Sequence, residues 1–439
     1  MVVNFNGKQF LDDCLGSLFS QTYPADRIEV VVVDNGSSDG SVEHLKQNWP
    51  QAVVAPLKEN LGFAGGVNEG VRRAGGQWIA LINNDARADP QWVHRGLEAF
   101  NKSSNVGMVG SKILSLDGNF IDYAGGALSF YGHGFKIGVD EKDFGQYDRG
   151  GETLFASGCA LFMPRRLFLQ AGGFDDDFFA FFEDVDLGWR LWTMGYRILY
   201  EPSSLVYHRH HGTAAGMSRD KERFLLERNA LLTMIKNFEA PNLNRLLPAA
   251  LMLSLERGMP HSQLTSERYD LARHATDPLP EEEKISTRTA AHILGISEAA
   301  RMMPGTLEKR RVVQERRKRS DREIVSLFTA PLTSNYGAPG FMKTYDSMLE
   351  AFQVREVFEG RTKVLLITAD TVSQKMAGPA IRAWEMCSEL ARKHEVTMLA
   401  KAATNVVPKG FKLDLLKEKT LGGYLDWADV IVFQGFIMH

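Results

Sequence analysis

Two clusters of acidic and amide side chains stand where they could do chemistry. Residues 83–85 (Asn-Asn-Asp) directly follow the apolar run 78–82, and Glu183 and Asp184 lie about a hundred residues further along. An acidic residue at the end of a buried parallel strand lies where open α/β sheets bind ligands. A carboxylate there can hold a divalent cation against a diphosphate. The first cluster therefore suggests a metal–nucleotide site, and the second suggests a general base.

The segments around the first cluster alternate between predicted helices and strands. Apolar residues between 10 and 19 recur at helical spacing, and residues 28–33 form a β-branched run typical of a buried parallel strand. A third strand is expected near 52–54, and a glycine-rich loop at 60–66 lets backbone approach a ligand, although a plain turn between strand and helix explains it equally well. We predict an α/β nucleotide-binding sheet.

Composition excludes several classes of protein. The 439 residues exceed what one core usually fills, and the formal net charge of -3 does not favour nucleic acid as a partner. Three distant cysteines, Cys14, Cys159 and Cys387, fit a reducing compartment. The sequence shows neither a signal peptide nor an apolar run of the eighteen or so residues that span a bilayer. We expect a cytoplasmic location, with peripheral association at the inner face of the membrane as a further option.

Seven motifs in order resemble one family. They occupy residues 3–7, 33–40, 60–63, 81–85, 158–162, 172–175 and 182–190. Together they resemble a family 2 glycosyltransferase of the GT-A fold, close to the bacterial rhamnosyltransferase-like branch, over roughly residues 1–238. The resemblance implies an inverting transfer of a sugar from a nucleotide-diphosphate donor, TDP-rhamnose or a UDP-sugar, to an acceptor hydroxyl on a glycan or lipid-linked molecule. It further implies a role in cell-surface polysaccharide synthesis.

The resemblance also implies roles for individual residues. Asp184 would be the catalytic base that takes the proton of the acceptor hydroxyl, and Asp34 would accept a hydrogen bond from a uracil or thymine ring. The residues implied for nucleotide-sugar binding are Asn4, Asp34, Asn60, Gly62, Asn68, Asn83 and Asn84. Those implied for acceptor binding are Gly158, Glu183 and Trp189.

A divalent cation, Mg²⁺ or Mn²⁺, is the implied cofactor. Asp85 matches the last position of the family's Asp-x-Asp metal motif, whereas Asn83 replaces the first acid and brings no charge. In related enzymes a histidine near position 208 completes the metal shell, so His208 is preferred over His210 and His211 as a ligand.

Simpler interpretations stay open for each of these residues. Asp34 could cap the following helix, Asp85 could lie in a plain turn, and Asp184 could be an ordinary acid in the first turn of a helix. His208 could belong to a solvated loop. For the whole chain, the alternatives are a non-catalytic sugar-nucleotide-binding or scaffold subunit, and a nucleotidyltransferase on a similar sheet.

The remaining chain divides into three predicted parts after the domain at 1–238. Residues 239–330 are expected to form short helices, 331–360 a linker, and 361–439 a partial Rossmann-like domain. This last part resembles the opening of a family 4 glycosyltransferase of the GT-B fold, and we expect both ends of the chain to be truncated. A basic cluster at 309–319 either contacts anionic lipid or a pyrophosphate-linked acceptor, or forms a solvated helix face.

Overall fold

The computed structural model describes residues 1–209, 217–262, 285–334, 336–358, 362–392, 394–408 and 410–434. The chain forms two compact units, Met1–Val354 and Arg355–His439. Across the described ranges, no helix combines the length and the apolar character needed to cross a membrane.

The first unit begins with the predicted alternation of strands and helices. Its elements are β1 (Val2–Asn4), α1 (Leu11–Phe19), β2 (Val31–Asp34), α2 (Ser41–Asn48), β3 (Val53–Pro56), α3 (Gly62–Arg73) and β4 (Trp78–Ile82). Strands β1, β2 and β3 form a parallel sheet in that order. The four residues of β2 are all buried, as expected for a parallel strand covered on both faces. The α/β fold class is therefore confirmed.

A larger mixed sheet follows. Its part of the chain contains β5 (Ala86–Ala88), α4 (Trp92–Glu98), β6 (Val106–Ser115), β7 (Ile121–Tyr123), β8 (Gly126–Leu128), β9 (Gly134–Lys136), β10 (Gly151–Glu152), β11 (Ala160–Pro164), α5 (Arg165–Gln170), α6 (Glu183–Thr193) and β12 (Arg197–His208). The strand order is β10-β12-β6-β11-β4, with β5 beside β12 and β7 beside β6. The Met1 amino group donates to the Ala80 carbonyl at 2.7 Å, and the Ile82 N–H donates to the Met1 carbonyl at 3.1 Å. These bonds connect the two sheets where the first acidic cluster begins.

Helices complete the first unit, and they include the segment predicted as a linker. They are α7 (Arg219–Asn237), α8 (Ala240–Gly258), α9 (Thr287–Arg301), α10 (Met303–Glu315), α11 (Asp321–Ile324) and α12 (Pro339–Ala351). The linker prediction for 331–360 is wrong for α12, because Phe341, Tyr345 and Leu349 form a buried stripe at helical spacing. The Tyr345 ring lies 5.5 Å from the ring of Phe130.

Arginines of the basic cluster at 309–319 cap the ends of two helices, a role that the sequence did not suggest. Arg310 donates to the carbonyls of Ile235 and Phe238 at 2.5 and 2.6 Å, and Arg317 donates to the carbonyl of Asn237. These carbonyls end α7, where no further helical N–H groups can satisfy them and where the helix dipole favours cations. Arg319 does the same after α6, donating to Gly195 and Tyr196 at 3.1 and 2.9 Å.

Neither interpretation of the basic cluster holds for these three arginines. Their guanidinium groups donate to backbone carbonyls inside the first unit, and these carbonyls are their main partners instead of lipid or bulk solvent. Arg311, whose side chain is 76% exposed, does fit the solvated interpretation.

The second unit has an all-parallel sheet of its own. Its elements are α13 (Arg355–Phe358), β13 (Lys363–Ser373), α14 (Gly378–Leu390), β14 (Glu395–Thr404), β15 (Lys412–Leu415), α15 (Glu418–Trp427) and β16 (Val430–Gln434). The strand order β15-β14-β13-β16, with every pairing parallel, agrees with a Rossmann-like pattern. The resemblance to family 4 glycosyltransferases stays a prediction.

The arginine caps predict unequal effects of two matched substitutions. Arg317→Ala removes a cap of α7 and the partner, at 3.1 Å, of the buried Asp321 carboxylate. We expect it to lower the free energy of unfolding by about 3 kcal/mol, because it leaves a buried charge unpaired. Arg311→Ala should change it by no more than about 0.5 kcal/mol. Urea unfolding followed by circular dichroism measures both, and equal effects would contradict the capping role.

Candidate active site

The ends of three strands meet in a chain of hydrogen bonds. Asn4, the last residue of β1, donates from Nδ2 to the Asp34 carboxylate at 3.0 Å, and Asn84 donates to Asn4 Oδ1 at 2.8 Å. The second oxygen of Asp34 accepts the Ser37 N–H at 3.0 Å. Each carboxylate oxygen can accept a further bond, so Asp34 keeps capacity for a ring N–H of a nucleotide. The structure thus brings three of the predicted donor-binding residues together.

A neighbouring residue shapes the glycine-rich loop. The buried Asn35 side chain donates to Asn60 Oδ1 at 3.0 Å and to the Gly62 carbonyl at 2.8 Å, and it accepts the Leu61 N–H at 3.0 Å. Gly62 has a φ of +74°, and a Cβ there would lie 2.3 Å from the carbonyl oxygen of Phe179. Only glycine permits this approach. Asn60 and Gly62 therefore act first on the shape of the loop.

Asp85 lies beside His208, as the register of β5 and β12 requires. His208 is paired with Ala86 across these antiparallel strands, and His208 Nε2 lies 3.1 Å from Asp85 Oδ1. On the other side of the ring, Nδ1 contacts Asp122 Oδ2 at 2.6 Å. Burial opposes a charge on His208, but the Cys159 sulfur and the two carboxylates raise its pKa well above the usual value. His210 and His211 lie outside the described residues.

Lys136 shares the Asp122 carboxylate with His208. Its ammonium group contacts Asp122 Oδ1 at 2.7 Å, so one carboxylate holds a lysine with one oxygen and a histidine with the other. Burial lowers the pKa of Lys136, but the charge of Asp122 and its hydrogen bond more than offset this, and the pKa is raised. Gly134, on the same strand β9, packs against Val185. The strand therefore runs from the His208 side of the site to the acid pair.

Two backbone N–H groups hold the Asp184 side chain. The N–H of Gly158 donates to one carboxylate oxygen at 2.8 Å, and the N–H of Val185 donates to the other at 2.8 Å. Asp184 lies in the first turn of α6, as predicted, and is partly exposed. Burial raises the pKa of its carboxyl group above the usual value, whereas the two N–H groups and the Lys136 ammonium oppose that rise. A carboxylate with a raised pKa is better matched to accepting a proton near neutral pH.

Glu183 is buried next to Asp184. Its Oε2 atom has no hydrogen-bond partner among the described residues, and burial followed by the charge on Asp184 raises its pKa well above the usual value. Two neighbouring carboxylates in such a place do not ionise together. The charge on Asp184 therefore favours the protonated form of Glu183.

The backbone before the acid pair is strained. Phe179, Phe181 and Phe182 have φ values of 63°, 66° and 71°, in the left-handed region that favours glycine. For an aromatic residue this conformation costs roughly 1–2 kcal/mol at each position. Such strain concentrates at functional sites, where surrounding contacts enforce it.

Two predicted site residues have other roles. Asn68 donates to the Phe174 carbonyl at 2.8 Å and to Asp176 at 2.7 Å, and it accepts the Phe174 N–H at 3.0 Å. Both of its amide hydrogens thus serve the neighbouring loop rather than a nucleotide. Trp189 is fully buried, with its ring 4.6 Å from that of Phe238, so it packs in the core instead of meeting an acceptor.

Part of this region matches a known protein family. The model of the family described as glycosyl transferase family 2 matches residues 1–169. These residues are a family 2 glycosyltransferase domain. The match includes β1 to β11 and the predicted donor-binding residues, and the acid pair follows it by fourteen positions.

Named relatives are similar over a longer stretch. The N-acetylglucosaminyl-diphospho-decaprenol L-rhamnosyltransferase of Mycobacterium tuberculosis is 28% identical over 211 residues, which are 42% of this chain and 68% of the relative. The poly-beta-1,6-N-acetyl-D-glucosamine synthase of Staphylococcus aureus is 22% identical over 224 residues, 50% of this chain and 52% of the relative. A crystal structure of GalNAc-T7 with UDP, GalNAc and Mn²⁺ covers 57% of this chain and 50% of its own, with 16% identity and a TM-score of 0.46.

The residues beside Asp85 in the glycosyltransferase domain fit a divalent cation. Neighbouring ligands of an octahedral ion with bonds of about 2.1 Å lie about 3 Å apart, and Asp85 Oδ1 and His208 Nε2 are separated by 3.1 Å. Asp122 orients the histidine from behind, as acceptors commonly do for metal-binding imidazoles. The described residues contain no cluster of three or more His, Cys, Asp or Glu side chains arranged for a metal. Two protein ligands would leave positions for phosphate oxygens.

Sequence reasoning missed Asn35, Asp122 and Lys136. Asp122 did carry a signal, because it is a charged residue between Ile121 and Tyr123 in a short apolar strand, and such a residue is rarely buried without a partner. Lys136 carried none, since its neighbours in sequence are those of an ordinary hairpin.

The charges around Asp184 predict the pH dependence of transfer. Lys136→Met removes a positive charge that stabilises the Asp184 carboxylate, so the pKa of Asp184 should rise and the acid limb of log(kcat/KM) should move to higher pH by roughly half a unit or more. Glu183→Gln should leave that limb in place, because Glu183 is already neutral when Asp184 is charged. Lys142→Met, at an exposed lysine, is the matched control. A large shift of the acid limb in Glu183→Gln would show that Glu183 carries a negative charge in this pH range.

The support of His208 predicts weaker metal binding when Asp122 is changed. Asp122→Asn keeps the size of the side chain but removes the charge that holds both His208 and Lys136. We expect the Mn²⁺ dissociation constant, measured by electron paramagnetic resonance with nucleoside diphosphate present, to rise roughly 10–100-fold. Asp117→Asn, in the exposed turn before β7, should leave it unchanged. An unchanged constant in Asp122→Asn would exclude this role.

Proposed function

We propose that the first unit transfers a sugar from a nucleoside-diphosphate donor to an acceptor hydroxyl with inversion at the anomeric carbon. The observation that carries this proposal is the Asp184 carboxylate. It is partly exposed, has a raised pKa and is held by two N–H groups, one of them from Gly158 within the residues that match family 2 glycosyltransferases. A hydrogen-bonded carboxylate of this kind is suited to act as a general base.

The proposed reaction is a single displacement. The acceptor oxygen forms a bond to the anomeric carbon while its proton passes to Asp184. The bond from the anomeric carbon to the diphosphate oxygen breaks, and the nucleoside diphosphate leaves with the electron pair. No covalent enzyme intermediate is required, because one carboxylate accepts the proton and the leaving group departs from the opposite face.

The negative charge that develops on the leaving diphosphate needs positive charge nearby in the site. Asp85 and His208 would hold Mg²⁺ or Mn²⁺, and the bound ion supplies neutralising charge against the two phosphates. Asp122 fixes the orientation of His208. The Lys136 ammonium group also contacts the Asp122 carboxylate. Its charge stabilises the ionised form of Asp184, which the reaction needs.

The site and the relatives support a proposal for the donor and the acceptor. Asp34, joined to Asn4 and Ser37, is positioned to accept the N3–H of a uracil or thymine ring, so TDP-rhamnose or a UDP-sugar is the proposed donor. The name of the mycobacterial relative specifies rhamnose and an acceptor carried by a diphospho-polyprenol. We extend this to a lipid-linked or glycan acceptor at the cytoplasmic face of the membrane, in cell-surface polysaccharide synthesis.

Measuring product formation tests the proposal. The full chain would be incubated with TDP-rhamnose, UDP-sugars or GDP-sugars, an N-acetylglucosaminyl-diphospho-lipid acceptor, and Mn²⁺ or Mg²⁺. Asp184→Asn should reduce kcat by roughly 10²–10⁴-fold, because it removes the base but keeps the shape. Donor binding measured by calorimetry should survive this change. Asp117→Asn should leave both quantities unchanged.

Two results would overturn the proposal. A scaffold subunit would bind a donor nucleotide but form no product with any donor and acceptor pair. A nucleotidyltransferase would release pyrophosphate from a nucleoside triphosphate, and this activity would not depend on a sugar acceptor.

A further inference from the structure

The strained segment before the acid pair is held by a helix some fifty residues further along the chain. Helix α7 carries Asn229, which is fully buried and whose side-chain amide donates to three successive parts of this segment. The bonds run to the carbonyls of Phe178, Ala180 and Phe181 at 3.0, 2.9 and 2.8 Å. Two amide hydrogens are thus shared among three carbonyls, which fixes the path of the backbone between them.

Arg228 strengthens the same contact. Its guanidinium donates to the carbonyls of Asp177 and Phe178 at 2.9 and 3.0 Å. Its Nε atom also donates to Asn229 Oδ1 at 2.9 Å, which orients the amide so that its N–H groups face the segment. The nitrogen and the oxygen of the Asn229 side chain therefore both have protein partners.

The segment also contacts the donor side of the site. The carbonyl of Phe179 accepts the N–H of Ala64 at 3.2 Å, beside Gly62, where a side chain would collide with that oxygen. Residues 178–182 therefore join the glycine-rich loop at one end and Asp184 at the other. A change in their backbone would move the base relative to the donor loop.

We propose that Asn229 and Arg228 are positioning residues that hold residues 177–181 in a strained backbone and so place the Asp184 carboxylate against the Gly158 N–H. The inference rests on the proposed role of Asp184 as the base. It extends the functional site by two residues on a helix that does not touch the reacting groups.

The first test compares Asn229→Ala with a matched control. Asn242→Ala, on α8, also removes a partly buried amide hydrogen bond, to Asp321, but it does not contact the segment. We expect Asn229→Ala to lower kcat roughly 10–100-fold, because small displacements of reacting groups have effects of this size. The donor KM should change less than about twofold. Asn242→Ala should change neither. An unchanged kcat in folded Asn229→Ala would overturn the proposal.

A second test uses the strain itself. Phe181→Gly allows a left-handed φ without cost, so the segment should keep its path with less help from Asn229. The loss of kcat caused by Asn229→Ala should therefore be smaller in the Phe181→Gly background than in the wild type. A purely structural role for Asn229 predicts equal losses in the two backgrounds, and that result would contradict the proposal.

A third readout does not require transfer activity. Hydrogen exchange of the Gly158 and Val185 amides reports whether they still donate to Asp184. In Asn229→Ala we expect their exchange to accelerate at least tenfold, while the Ala160 amide, which bonds to Ser157, stays protected. Unchanged protection would overturn the proposal.

If the wild type forms no product but the exchange changes as expected, the positioning role stands and the assignment of the reaction fails. If Asn229→Ala does not fold, Asn229→Asp, which keeps the acceptor for Arg228, replaces it in all three tests.

Discussion

The hydrogen bond from the Gly158 N–H to the Asp184 carboxylate is the contact on which the site depends. It joins the loop before β11 to the start of α6, two parts of the chain that are 26 residues apart. A carboxylate at this place is disfavoured by burial, and it can stay ionised only because N–H groups and a lysine stabilise the charge. The position of the Asp184 carboxylate and the shift of its pKa therefore have the same physical origin.

Around this contact, charges are arranged in pairs that avoid unbalanced burial. Asp122 balances Lys136 and His208, and Lys236 lies between Asp175 and Asp186 at 2.5 and 2.9 Å. Glu183 is the exception, because burial and the charge on Asp184 raise its pKa well above the usual value and so favour its neutral form. The two acids of the pair thus have different environments, since Asp184 accepts two N–H bonds and Glu183 Oε2 accepts none among the described residues.

Much of the donor side could be predicted from the sequence because its residues lie in short contiguous motifs. Asp34 ends β2, Asp85 follows the end of β4 by three positions, and Asp184 lies in the first turn of α6, all elements that the apolar pattern reveals. The supports of these residues could not be predicted in the same way. Asp122 meets His208 across 86 positions, and such a contact depends on strand register rather than on local pattern.

The same limit explains the errors on the C-terminal side of the first unit. A stretch with Asn, Tyr, Gly and Pro resembles a linker, yet Tyr345 packs against Phe130 and makes α12 part of the core. Arginines in a run resemble a surface patch, yet Arg310 and Arg317 lie over the end of α7. In both cases the partner that gives the residue its role is far away in the chain.

These long-range caps have a consequence for the order in which the chain is made. A ribosome releases the strands of the donor side first, and the arginines that close α6 and α7 follow more than seventy residues after α7 ends. Until Arg319 has emerged, the carbonyls after the helix that carries Asp184 lack their cations. In a nascent chain of this protein the strands of the donor side and the start of α6 would therefore emerge well before the far end of α6 receives its arginine, and the first unit would complete its packing only late in synthesis.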